Sequence, residues 1–163
     1  MRRIAFLAPL AAALAVSGAA AAQPSAVVVT VSPDFAKTAQ ELGERDVQQQ
    51  VSDLTRTVER VLTQRHALDG ARIELVITDL KPNRPTIQQM SDKPGLDMMR
   101  SLSIGGAAVE GTVTMASGAV EPVKFDYYTP TLADARGSTT WTDAQRAYDR
   151  LARNLAEGRY VQR

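Results

Sequence analysis

The chain has 163 residues, 44% of them hydrophobic and 23% charged, with a formal net charge of +1, one histidine and no cysteine. That is the composition of one globular domain and not of a disordered chain, and the near-neutral charge excludes the concentrated Lys and Arg on which non-specific nucleic-acid binding depends. Without cysteine there is no disulfide, no thiolate nucleophile and no lipid-bearing residue, and one histidine cannot build a structural zinc site, so neither a metal nor a cofactor is expected.

Met1, Arg2 and Arg3 form a short positive end, Ile4 to Val16 an apolar run broken only by Pro9, and Ala19 to Ala22 a small-residue site ahead of Gln23. These are the three parts of a secretory signal peptide. The apolar run falls short of the roughly 20 residues that span a bilayer. Residues 1–22 are therefore predicted as a cleaved leader and 23–163 as a single periplasmic domain, with no transmembrane segment and no lipid anchor. Losing Arg2 and Arg3 brings the mature charge slightly negative.

Ala26 to Val31 (AVVVTV) is a β-branched run and reads as the first strand. Ser32–Pro33–Asp34 breaks it. From Asp46 the period becomes helical: Val47, Val51, Leu54, Val58, Val61 and Leu62 share one face. Asp46 and Gln49 have capping-box spacing, and Leu68–Asp69–Gly70 is the expected stop. Residues 35–45 read as an extension of this helix or as a preceding loop, and Gly43 favours the loop. His66 follows Arg65 where a cation favours the negative end of the helix dipole.

Arg72 to Leu80 alternates, with Ile73, Leu75 and Ile77 on one side, as in a half-buried strand. Lys81 to Ser101, with three prolines, is a loop of unusual length. Ser103 to Met115 and Ala119 to Tyr128 form a hairpin. A two-residue turn would set Val109, Val113 and Met115 on the face opposite Val123, Phe125 and Tyr127, because a one-residue slip flips every side chain. A three-residue turn, Ala116–Ser117–Gly118, with Gly118 left-handed, restores agreement; it pairs Val109 with Phe125, Gly111 with Val123 and Glu110 with Lys124. Leu102 and Ile104 are out of phase with Val109, which predicts a bulge at Gly105–Gly106. The last helix carries Ala144, Tyr148, Leu151 and Leu155 on one stripe, a Thr142/Gln145 capping box at its start and Gly158 at its end. The fold class is α+β, in the order β-α-β-β-β-α, with a mostly antiparallel sheet and two helices packed on one face.

The segment G-A-R-I-E-L-V-I-T-D-L at Gly70–Leu80, the R-P-T and P-G-L steps of the long loop, I-G-G-A at Ile104–Ala107 and W-x-D-A-x-R-A-Y at Trp141–Tyr148 resemble small exported periplasmic α+β proteins of Gram-negative bacteria, a domain family of unknown function. The resemblance implies export and fold, and no chemistry.

Several residues were weighed for chemistry. Gly105–Gly106 and Gly111 are not a phosphate loop, since no Lys-Ser/Thr follows and no helix opens. Arg146, Arg150 and Arg153, interleaved with Asp143, Asp149 and Glu157, read as a solvated helix face. Glu74, Asp79 and Glu110 lie on or beside strands, where converging carboxylates do acid–base work, but Glu110 already has Lys124 across from it. Met90, Met98 and Met99 lack the His or Cys that accompanies Met ligation of copper and suit adaptable apolar contacts. The 81–101 loop is the best binding candidate, through Arg84, Gln88, Gln89, Asp92, Lys93, Met98, Met99 and Arg100, with Pro82, Pro85 and Pro94 limiting its freedom. The chain thus reads as a non-enzymatic binding or accessory module acting through this loop or an open sheet edge, its partner another envelope protein or an extended peptide. The rival readings are a small hydrolase built on His66 with a carboxylate, and a structural envelope component that self-associates.

Overall fold

The computed structural model describes residues 23–162; the expected leader and its cleavage point lie outside them. In chain order the elements are β1 (Ala26–Val31), a 3-10 turn at Pro33–Phe35, α1 (Ala36–Leu42), α2 (Glu44–Arg65), β2 (Arg72–Lys81), α3 (Ile87–Asp92), β3 (Gly106–Thr114), β4 (Val120–Tyr128) and α4 (Thr142–Ala156). One sheet runs β1-β2-β3-β4, with β1 parallel to β2 and the other pairs antiparallel. On one face α2 covers β1, α4 covers β3 and β4, and the two helices pack against each other. The α+β class, the mostly antiparallel sheet and the two covering helices are as expected. The order differs by two further helices, α1 and α3.

The hairpin register follows from side-chain parity. Val109 pairs with Phe125, Gly111 with Val123 and Glu110 with Lys124, the Met115 amide donates to the Ala119 carbonyl at 2.8 Å, and Gly118 has φ +87°. The expected bulge sits elsewhere. On β2, Ile73, Leu75 and Ile77 are buried two apart, yet Leu80, three residues beyond, is buried as well. A register shift between Ile77 and Asp79 takes up the extra residue. Leu102 and Ile104 need no bulge because they precede the strand, which starts at Gly106. Gly111 is required by close approach: a Cβ there would lie 2.0 Å from the Glu74 carbonyl oxygen.

Two expected helix caps are replaced by others. α2 starts at Glu44, two residues before Asp46, whose carboxylate accepts from the Trp141 indole N–H at 3.2 Å. Gly43, at φ +101°, is the joint between α1 and α2 and not part of a loop. Trp141, not Thr142, is the N-cap of α4, and the Thr142 hydroxyl accepts from the Thr139 amide. At the far end of α2, His66 is left-handed (φ 49°); its amide donates to Thr63 and that of Ala67 to Leu62, which satisfies the last carbonyls. The helix therefore stops before Leu68. Gly158 ends α4 as expected, at φ +71°.

Leu54, Leu62, Ile73, Leu75, Ile77, Leu151 and Leu155 are fully buried between sheet and helices, each contributing roughly 2 kcal/mol of apolar transfer. Tyr148 is buried among them and donates to the Gln50 side chain at 3.4 Å. Desolvation, with the Asp53 charge adding to it, pushes its phenol far above the ordinary value.

Candidate functional site

The 81–101 loop is ordered by its own chemistry. Pro85 ends the extended stretch and Thr86 opens α3 with a complete capping box: the Gln89 amide donates to the Thr86 hydroxyl and the Thr86 amide to the Gln89 side chain. Arg84 reaches back under the loop. Its guanidinium donates to the carbonyls of Ser138 (2.8 Å), Met98 (2.9 Å) and Met99 (2.8 Å), so its charge holds the loop closed on the 130s segment.

The base of the loop is a buried polar knot at Asn83, which the sequence reading missed. The Asn83 amide donates to Thr140 and its carbonyl accepts from Ser103. Its side-chain Oδ1 accepts from the Asp143 amide at 3.0 Å, while Nδ2 donates to the Asp143 carboxylate and the Ser103 carbonyl. Asp143 is fully buried, and its other oxygen takes a 2.7 Å ion pair from Arg146. A buried carboxylate with both oxygens occupied is tolerated; one stripped of partners is strongly destabilising. The knot ties both ends of the loop to the first turn of α4.

Of the eight predicted binding residues, Arg84 and Gln89 serve the loop's own structure. Gln88 pairs with Asp92 along α3 at 2.9 Å. Lys93, Met98, Met99 and Arg100 are exposed, Met99 at 80%. The concavity itself is walled by other residues. A groove of about 330 Å³ lies between the loop and the segment entering β3, lined by Pro82, Pro85, Leu96, Leu102 and Ile104 together with the polar Lys81, Gln89, Ser101 and Ser103. The signal for it was present: Leu102 and Ile104 are apolar but out of phase with the strand.

Lys81 is held in place. Its ammonium sits 3.5 Å from Asp79 and 4.7 Å from the centre of the Tyr128 ring. The Tyr128 hydroxyl donates to Asp79 at 2.6 Å. Burial first, then that carboxylate, raise the phenol well above its ordinary value.

The residues considered for acid–base work are dispersed. Glu74 pairs with Arg72 at 2.8 Å and Glu110 with Lys124 at 3.1 Å on the outer sheet face, Asp79 serves Tyr128, and exposed His66 caps α2. Among the described residues no three His, Cys, Asp or Glu side chains converge as a metal site would need, and no helix is long and apolar enough to cross a membrane. Arg146 of the α4 cluster is committed to Asp143, while Arg150 stacks over the Tyr127 ring at 4.0 Å. No protein-family model, curated protein or solved structure matches the chain.

Proposed function

We propose that the chain is an exported periplasmic accessory protein without catalytic activity, which holds an extended apolar segment of another envelope protein in the groove beside the 81–101 loop. One observation carries this reading: Leu96, Leu102 and Ile104 line a concavity whose flanking segments are fixed by Arg84, bonded to Met98, and Asn83, bonded to Ser103. A passive connection gains by collapsing such residues onto the core, at roughly 25 cal/mol per Å² buried. A preorganised apolar groove instead lowers the ordering cost of binding. The exposed charges of the loop are balanced, Asp92 and Asp97 against Lys93 and Arg100, so the apolar wall is what recognises the segment. Asp92 accepts from Gln88 and Asp97 from the Met99 and Arg100 amides, which fixes both carboxylates without cancelling their charge.

The test is photo-crosslinking in cells from a probe at position 99, with and without Ile104→Asp. Ile104 is exposed, so the substitution leaves folding within about 0.5 kcal/mol. The expected result is one crosslinked segment, apolar in sequence, lost in the variant. Crosslinks that are diffuse, or indifferent to Ile104→Asp, overturn the reading.

A further inference from the structure

The sheet has two edges, and among the described residues only one is protected. At β4, Pro122 has no N–H to offer, and the tail pairs in parallel with the strand: the Lys124 amide donates to Tyr160 and the Gln162 amide to Lys124, both at 2.9 Å. The Asp126 amide is met by the Gln162 side chain at 3.4 Å. β1, at the other edge, has β2 as its single strand neighbour. Its six residues, AVVVTV, contain no charge, no proline and no glycine, so its composition does nothing to discourage pairing. Every second backbone N–H and C=O of such a strand points away from the sheet.

The side chains show the same incompleteness. Val27, Val29 and Val31 face the helices but remain half-buried, as does Val51 of α2 beside them; outward-facing Val28 is 38% exposed.

We infer that β1 is a self-association edge, on which a second copy of this chain adds its own β1 antiparallel to make a continuous eight-stranded sheet. Three properties select a copy as the occupant. Parity requires inward residues to oppose inward residues, and the inward row is symmetric about Val29, so a two-fold axis there sets Val27 against Val31 and Val28 against Thr30. The strand is uncharged, so self-pairing places no like charges across from each other. Because the tail closes the β4 edge, each chain has one open edge; pairing consumes both and stops at a dimer, where two open edges would build a filament. This surface is independent of the loop groove.

The experiment is sedimentation equilibrium of the unmodified mature protein, together with two single-cysteine variants in this cysteine-free chain. The interface is small, so the protein is expected as a dimer at roughly 100 µM that dissociates on dilution. Val29→Cys, on the axis, should give a disulfide-linked dimer on mild oxidation, since opposed residues of an antiparallel pair lie about 5.5 Å apart between Cα atoms, within disulfide reach. Asp126→Cys, on the protected edge, should crosslink at least tenfold less. A monomer at the highest concentration, or equal crosslinking from both sites, overturns the proposal. The unmodified protein decides the matter if Val29→Cys folds poorly.

Discussion

β1 and β4 occupy equivalent places at the two borders of one sheet, and both carry an inward apolar row under a helix. On β4 most of that row is finished: Val123 is 3% exposed and Phe125 6%, with Tyr127 half-buried beneath Arg150. On β1 the row Val27, Val29 and Val31 is half-buried. Strand composition would give the opposite ranking, because β1 is all β-branched or small and β4 contains Pro122, Glu121, Lys124 and Asp126. What seals β4 comes from elsewhere in the chain, with α4 crossing above it and the tail returning alongside. Burial at a border depends on what lies beyond the strand more than on the strand's own sequence.

The largest test of this contrast lies between the two borders. Gly111→Ala drives a Cβ against the Glu74 carbonyl in the β2–β3 seam that connects them. It should lower the unfolding free energy by about 2–3 kcal/mol in a urea titration. Unchanged stability would mean that the register, and with it the assignment of inward rows, is wrong.

Truncation after Arg159 should convert one border into the other. It removes the two backbone bonds to Lys124, a loss of about 1–2 kcal/mol, and it bares the β4 edge. Asp126→Cys in the truncated chain should then crosslink as Val29→Cys does in the full one; if it stays silent, the tail is not the shield.

The smallest effect is electrostatic. Arg159, at the start of the tail, donates to Glu157, and Arg65 of α2 meets the same carboxylate at 3.0 Å. The bond from Arg159 lowers the pKa of Glu157; partial desolvation opposes it, and the charges of Arg159 and Arg65 assist. A folded pKa below the unfolded one means the contribution is complete above the ordinary carboxylate range and vanishes as pH falls through the folded value. Glu157→Gln should therefore slightly lower the thermal midpoint at neutral pH and change nothing in strong acid. An equal loss at both pH values would contradict the assignment.

Where geometry left a single solution, the sequence was readable. Parity around Ala116–Ser117–Gly118 admitted one hairpin turn, and the stripe Ala144, Tyr148, Leu151 and Leu155 admitted one face for α4. Caps were harder, since a cap residue serves whichever partner tertiary structure brings to it. Asp46 went to Trp141, 95 residues away, while Thr86 and Gln89, with the same spacing, formed the box that was not predicted. Gly43 suggested a loop because a glycine stop and a glycine hinge look alike before the next helix is seen. In the candidate site, polarity drew attention to Arg84 and Gln89, which turned inward to carbonyls and a cap. The groove came from Leu102 and Ile104, whose faulty phase was read as a strand defect.

The parallel pairing of β1 with β2 also has a bearing on the order of assembly. The β3–β4 hairpin closes through three residues, whereas Ser25 reaches Ala71 across a sequence separation of 46. The loop-closure entropy of that contact is larger, and non-local pairings of this kind slow folding. Among the described residues β1 is also the first strand in chain order, so it emerges early in synthesis and finds its neighbour late. For that interval the six residues of β1 are wholly unpaired, and the kinetic hazard of aggregation is concentrated in the strand that later forms the border of the sheet.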